Sequence, residues 1–155
     1  MADVIILTQE NGLCAIFNPA PGVDLKEVLP RIAERNNTTD AEIVPDTVIP
    51  SDWTFRDAWV KAKAAVQVDM VLARDIWRDT IRQARNPKLT ELDIEFQRCL
   101  EYGEDTSPIV AQKEALRGAP QDPAIDMAAT PEELKAVWPA VLEEPLARSS
   151  ASKSK

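Results

Sequence analysis

The chain contains no histidine, and this absence narrows the chemistry that it can support. Histidine is the commonest general base and the commonest transition-metal ligand in proteins. The two cysteines, Cys14 and Cys99, are far apart and form no Cys-x-x-Cys pair, so the sequence gives no basis for a zinc site. No phosphate-binding glycine loop and no nucleophile-elbow motif occurs. We therefore expect no catalytic residue, no metal and no cofactor.

Long apolar segments and a basic surplus are also missing. Apolar runs such as Val4–Leu7 are short, so the sequence predicts neither a signal peptide nor a membrane-spanning helix. Lys and Arg together number 18, against 26 Asp and Glu, which gives a net charge of −8. Neutralisation of phosphates drives most nucleic-acid affinity, so this charge disfavours a nucleic-acid partner. We expect a cytoplasmic protein that binds neither nucleic acid nor membrane.

The first third of the chain predicts a small ββαβ unit. Two β-prone runs flank Asn11-Gly12, a dipeptide typical of tight hairpin turns. A helix with Asp24 as its N-cap follows, although Pro30 lies inside the helical pattern and removes a hydrogen bond. A short strand that ends at Pro45 completes the unit. We assign residues 1–50 to this β-rich domain.

Beyond residue 50 the pattern becomes helical. Glycine and proline are absent from 51 to 86, and an apolar stripe with a helical period predicts a helix over 65–86 that stops at Pro87. Further helices are predicted over 89–103, 107–118 and 130–139. The expected helical core is Trp77, Ile81, Phe96, Leu100 and Leu116. The fold class is therefore α+β, with a helical hairpin or bundle over 51–140 and a polar, disordered tail over 141–155.

Four arginines lie on one face of the predicted helix: Arg74, Arg78, Arg82 and Arg85. One interpretation is a contact surface for an anion or an acidic partner. The other is a solvated face that is neutralised locally, because Asp75 and Asp79 each precede an arginine by three residues. Both interpretations stay open at this point.

The segment "IPSDWTFRDAW" at 49–59 concentrates aromatic side chains in a chain that is only 5% aromatic. A binding pocket, a base-stacking platform and a packing element are the alternatives for Trp53, Phe55 and Trp59. The interleaved Asp52 and Asp57 disfavour base stacking. We expect these rings to pack the β-rich part onto the helical part, with any exposed ring available to a protein partner.

The order of several short segments resembles small proteins encoded near the tail genes of tailed bacteriophages and prophages. The segments are "VIPSDWTFRDAW", "VDMVLARDIWRDTIRQAR", "LDIEFQRCLEYGED" and "KEALRGAPQDPAIDMAATPEELKAVWP". The last is similar to the end of tail-fibre assembly proteins, through Ala115-Leu116-Arg117, Pro120, Pro123 and Trp138-Pro139. The resemblance covers about residues 25–145.

This resemblance implies a non-enzymatic role in the phage tail. The protein would bind a tail or tail-fibre protein as an assembly chaperone, in the host cytoplasm. The alternative is a structural component that stays in the virion, in the tail, baseplate or fibre. The expected contact residues are Trp53, Phe55, Trp59, Arg74, Arg78, Arg82 and Arg85, and a homo-oligomer is left open.

Overall fold

The computed structural model describes residues 2–148 and confirms the α+β class. The chain divides into two compact units, Met1–Ala73 and Arg74–Lys155, called here the N-terminal and C-terminal units. The structure thus places the division after Ala73, whereas the sequence placed it after residue 50. Between these two positions lie a loop, the two strands Trp59–Ala62 and Ala65–Val68, and only the first turn of a helix that begins at Met70.

A three-stranded antiparallel sheet forms the centre of the N-terminal unit. Its strands are β1 (Asp3–Thr8), β2 (Cys14–Phe17) and β3 (Glu42–Pro45), in the order β2-β1-β3. The predicted β1–β2 hairpin is confirmed: Gln9 N–H bonds the Leu13 carbonyl, and Gly12 adopts a φ of 85° that favours glycine.

Helix α1 (Leu25–Arg35) connects β2 to β3, which confirms the predicted ββαβ order. The Asp24 carboxylate accepts a hydrogen bond from the Lys26 N–H and so caps the first turn, as the sequence indicates. The helix continues through Pro30, whose missing N–H leaves one carbonyl of the preceding turn without its helical donor.

A second hairpin in the N-terminal unit was not predicted. Strands β4 (Trp59–Ala62) and β5 (Ala65–Val68) pair antiparallel across a two-residue turn. The sequence prediction of helix from residue 65 onwards is therefore wrong up to Val68. The turn contains no Gly or Asn, and Lys63 adopts a φ of 54° in their place. The usual local signal for a hairpin is thus absent.

The core of the N-terminal unit lies between the sheet and this second hairpin. Its buried members are Val4, Ile6, Val44, Trp59 and Val66. Along β1 and β3, the side chains of this core alternate with side chains on the opposite face of the sheet, such as Ile5, which lie toward α1. This alternation is expected for a sheet that is covered on both faces. Trp59 is only 1% exposed and is the largest side chain in this core.

Asp40, in the loop before β3, ties that loop to the end of β1. Its carboxylate accepts hydrogen bonds from the Thr8 N–H at 2.9 Å, from the Thr8 hydroxyl, and from the Thr38 hydroxyl at 2.6 Å. Partial burial raises the pKa of Asp40, but these hydrogen bonds, helped by the charge of Lys61, outweigh it and lower the pKa to about 2.

The N-terminal unit should lose stability as the pH falls from about 4 to about 2. The pKa of Asp40 is about 2 in the folded protein against an ordinary value of 3.8, so its contribution is fully present above the higher value and is lost as the pH falls through the lower one. Asp40→Asn should cost about 1–2 kcal/mol at neutral pH and flatten this acid dependence. Urea unfolding across a pH series measures both, and identical acid profiles for the two proteins would contradict the assignment.

The C-terminal unit is built along one long helix, α2 (Met70–Glu101). The sequence predicted two helices separated at Asn86-Pro87, and this prediction is wrong because α2 continues through Pro87. An internal proline costs a helix about 3 kcal/mol. Ile81 and Leu92, one on each side of Pro87, are both fully buried, and their packing offsets that cost.

Three further helices follow: α3 (Ser107–Gly118), α4 (Pro123–Met127) and α5 (Pro131–Ala136). Helix α3 runs back along α2, since Lys113 pairs with Asp93 and its ammonium lies 5.2 Å from the Phe96 ring. This confirms the predicted helical hairpin. In α5, the Thr130 hydroxyl accepts the Glu133 N–H, which confirms the predicted N-cap.

The expected helical core needs one correction. Trp77, Ile81 and Leu116 are buried as predicted, and Phe96 is half-buried. Leu100 is 54% exposed. Its neighbour Cys99 takes the inward position instead, because successive side chains of an α-helix point about 100° apart around the helix axis.

The prediction of a flexible tail over 141–155 is wrong for its first eight residues. Residues 141–148 pack against the C-terminal unit: Leu142 is buried, and the Gln112 amide donates to the Pro145 carbonyl and accepts from the Ala147 N–H. The Lys88 ammonium also donates to the Glu144 carbonyl. The remainder of the predicted tail, 149–155, lies outside the described residues.

Candidate functional site

Two of the four arginines predicted to bind a partner bind helix ends within the C-terminal unit. The Arg74 guanidinium donates to the carbonyl of Ala128, the residue that caps the end of α4, at 2.8 Å. Arg85 donates to the Arg117 carbonyl in the last turn of α3, also at 2.8 Å. Carbonyls at a helix C-terminus lack helical donors and carry partial negative charge, so a guanidinium stabilises them.

The other two arginines of the row form ion pairs. Arg78 pairs with Asp126 and with Asp75, and Arg82 pairs with Asp79. The locally neutralised face considered from the sequence is therefore present, with helix capping added to it. Because all four guanidinium groups have partners inside the unit, the geometry favours a structural role, and we leave the row out of the candidate site.

The three aromatic residues of the predicted contact surface all lie in the N-terminal unit, and their exposure differs sharply. Phe55 and Trp59 are 2% and 1% exposed, whereas Trp53 is 51% exposed. Trp59 belongs to the core shared by the sheet and the second hairpin, so its role is packing within one unit rather than joining two. Trp53 alone among the three presents a large apolar surface to solvent.

The exposed Trp53 ring packs against neighbouring side chains. Its centroid lies 5.0 Å from that of Trp59, with the two planes tilted by 56°. The guanidinium of Arg56 covers the Trp53 ring at 5.5 Å. The backbone around it is fixed by hydrogen bonds from the Thr54 N–H to the Asp52 carboxylate and from the Arg56 N–H to the Trp53 carbonyl. The ring is therefore held in one orientation before any partner arrives.

Trp53 forms one wall of a cleft of about 470 Å³ that runs along β2. We call it the β2 cleft. Its wall and floor combine apolar and polar side chains: Gln9, Leu13, Cys14, Ala15, Ile16, Asn18, Trp53, Arg56, Asp57 and Trp59. Arg56 and Asp57 place opposite charges at its rim. Aromatic surface beside a few polar groups is the composition typical of a binding site.

Two polar groups of the cleft residues, the Cys14 thiol and the Trp59 indole N–H, lie in partly or fully buried surroundings. Burial raises the pKa of the half-buried Cys14 thiol above 9.0, and this outweighs a hydrogen bond from the Leu7 backbone and the charge of Lys61. The thiol is thus protonated at neutral pH and a weak nucleophile. The indole N–H of Trp59 is buried and finds no hydrogen-bond acceptor among residues 2–148. The Cys14 thiol of this cleft is therefore poorly suited to act as a nucleophile.

Comparisons of this chain with protein-family models, with curated proteins and with solved structures find no match. Function is therefore inferred from the β2 cleft itself and from the sequence resemblance.

Other kinds of site have less support in the described part of the chain. No group of three or more Cys, Asp or Glu side chains within residues 2–148 is placed to hold a metal ion. No helix of that range is both long enough and apolar enough to span a membrane. A shallow groove of about 500 Å³ lies along α2, beside the exposed side chains of Ile94 and Tyr102. Apart from Tyr102, every residue that lines this groove belongs to α2, so no second element encloses it.

The sequence indicated one part of the site and missed the other. The aromatic concentration at 49–59 pointed to Trp53 as part of a contact surface, whereas Arg56 was not among the predicted contact residues. The contribution of β2 was missed, because Cys14 and Ile16 are about forty residues away in the chain and come next to Trp53 only through folding. Their one local signal was their position on a strand of a predicted hairpin.

Proposed function

We propose that the protein is a non-enzymatic binding protein that holds a partner protein in the β2 cleft, with Trp53 as the anchor. The observation that carries this proposal is the half-exposed Trp53 ring, fixed between Trp59 and Arg56 at the wall of the cleft. Tryptophan and arginine are the side chains most often found to dominate protein–protein binding energy.

The partner that we propose is a bacteriophage tail or tail-fibre protein, and the role is that of an assembly chaperone. The support is the resemblance of 49–138 to small proteins encoded near phage tail genes. The segment that carries the strongest part of this resemblance, "IPSDWTFRDAW", also supplies Trp53, Arg56 and Asp57 of the cleft. Sequence resemblance and geometry thus converge on the same residues.

Trp53→Ala should weaken binding of the tail or fibre protein encoded beside this chain by about 2 kcal/mol or more, as expected for a tryptophan hot spot. The measurement is titration calorimetry on the co-purified pair after separation. Tyr102→Ala is the matched control, since Tyr102 is also exposed but lies in the C-terminal unit, directly after the end of α2. Equal affinities of the Trp53 variant and the control would reject the cleft as the contact surface.

A second measurement separates the chaperone role from a structural one. Mass spectrometry of purified phage particles should not detect a chaperone, which leaves after assembly. Its presence in stoichiometric amount would replace the chaperone proposal by a structural component of the tail. Co-expression completes the test, because fibre solubility that does not depend on this protein would reject chaperoning.

A further inference from the structure

The two outer edges of the three-stranded sheet differ in their ability to accept another strand. The Asp46 N–H donates to the Ala2 carbonyl, where the chain continues the pairing of β1 with β3. Because hydrogen-bonded pairs alternate along an antiparallel ladder, the even-numbered residues of β3 direct their backbone N–H and C=O groups toward β1. Ile43 and Pro45 therefore direct their backbone groups outward. Since proline has no N–H, Pro45 removes a donor from this edge, a device that protects sheet edges from further pairing.

The edge formed by β2 has no such block. The bond from Gln9 N–H to the Leu13 carbonyl fixes the alternation, so Ala15 and Phe17 exchange hydrogen bonds with β1. The N–H and C=O groups of Cys14 and Ile16 point to the opposite side. Strand β2 pairs only with β1 among the described strands, and these four groups are the donors and acceptors that an added strand uses.

The β2 cleft lies alongside this open edge. Cys14 and Ile16 place their side chains on the sheet face that carries the Trp59 core, and both line the cleft with Trp53. A strand added beyond β2 would place every second side chain on this same face. Those side chains would lie against the Trp53 ring, which supplies the apolar contact that backbone hydrogen bonds alone do not.

Charge indicates what kind of strand fits. The N-terminal unit contains 11 acidic and 6 basic residues over 1–73, a net charge of −5. A second copy would bring an equally acidic unit to the edge, whereas a basic segment would be attracted to it. At the rim of the cleft, Asp57 is a local partner for such a segment, while the opposite charge of Arg56 lies over the Trp53 ring.

We propose that the partner protein binds by adding an extended, basic segment to the open edge of β2, with apolar side chains at alternate positions packed on Trp53. This inference rests on the proposed function and specifies its mode. Hydrogen bonds to the outward backbone groups of Cys14 and Ile16 would give affinity that does not depend on the sequence of the segment. Contact with Trp53 would select segments that have apolar residues at alternate positions.

The test uses a displayed library of short random linear peptides, selected on the full chain. Enriched peptides should alternate apolar residues, carry net positive charge and bind less tightly at high salt. On binding, amide hydrogen exchange of Cys14 and Ile16 should slow in the unmodified protein, whereas that of Ile43 should not change. Peptides that bind while the Cys14 and Ile16 amides exchange as fast as before would overturn strand addition.

Paired proline variants give a second test. Cys14→Pro removes an outward N–H on the β2 edge without breaking a bond to β1, and should weaken peptide binding roughly tenfold. Ile43→Pro removes the equivalent group from the β3 edge and should leave binding unchanged in protein that remains folded. The proposal would be rejected if the two variants weakened peptide binding equally. It would also be rejected if two copies of this protein paired through their β2 edges and so prevented the peptides from binding.

These results can be told apart from failure of the proposed function. If Trp53→Ala abolishes binding of the tail protein while the Cys14 and Ile16 amides stay unprotected in that complex, the cleft binds its partner without strand addition. If Trp53→Ala has no effect and the library yields no binder, both proposals are wrong.

Discussion

Replacing Trp59 by alanine should lower the free energy of unfolding of the N-terminal unit by about 3–5 kcal/mol. Trp59 is 1% exposed and packs against Val4, Ile6 and Val66, so its removal leaves a cavity that strands on both sides would have to close. The indole N–H has no acceptor among the described residues, so the loss is one of packing alone. A net stability of 5–15 kcal/mol is typical of a domain, and this loss is a large part of it.

Amide hydrogen exchange in β1 measures this effect directly, because the central strand exchanges through unfolding of its own unit. Trp53→Ala is the matched control. It removes the same kind of side chain from a position that is 51% exposed, and we expect it to cost less than about 1 kcal/mol. If the two variants were destabilised equally, Trp53 would belong to the core and the β2 cleft would lose its wall.

Trp77→Ala should have a similarly large effect on the C-terminal unit, about 3–5 kcal/mol. Trp77 is nearly buried on α2, its ring lies 5.7 Å from that of Trp138, and its indole N–H donates to the Val137 carbonyl at 2.7 Å. The single side chain thus holds the segment after α5 against the long helix through both packing and a hydrogen bond.

A conservative variant separates these two contributions. Trp77→Phe keeps most of the ring contact and removes the hydrogen bond, so it should cost about 1–2 kcal/mol less than the alanine variant. Hydrogen exchange in α2 together with urea unfolding measures both variants, with the exposed Tyr102→Ala as a control. A Trp77→Ala protein with unchanged exchange in α2 would refute this assignment.

Local signals predicted those parts of the fold that local interactions determine. The Asn11-Gly12 turn, the Asp24 cap and the Thr130 cap are each satisfied by groups within a few residues, and each was predicted. The turn at Lys63 has no such signature, so the second hairpin was missed. Its stability comes from Trp59 and Val66 packing against distant strands, which a local pattern does not contain.

Tertiary packing also explains why α2 does not end at Asn86-Pro87, where the sequence predicted its end. Proline stops a helix when nothing opposes its cost, and the sequence prediction at Pro87 followed that rule. The structure continues because both flanking turns bury large side chains against other elements.

The candidate site could be predicted only in part for the same reason. Clustering indicated that 49–59 mattered, but Trp53, Phe55 and Trp59 are chemically alike and only the fold separates the exposed ring from the two buried ones. The arginine row shows the converse. Its regular spacing left both an external partner and a locally neutralised face open, whereas the carbonyls of Ala128 and Arg117 that bind Arg74 and Arg85 are far away in the chain.

The distance between Arg74 and Arg85 along α2 determines the distance between two helix ends in the C-terminal unit. Eleven residues of α-helix correspond to about 16–17 Å, so α2 fixes how far apart the ends of α4 and α3 lie. One residue inserted between the two arginines would rotate Arg85 by about 100° about the helix axis and withdraw it from α3. Changes in chain length compatible with this architecture are therefore confined to positions outside 74–85, in the turns between helices.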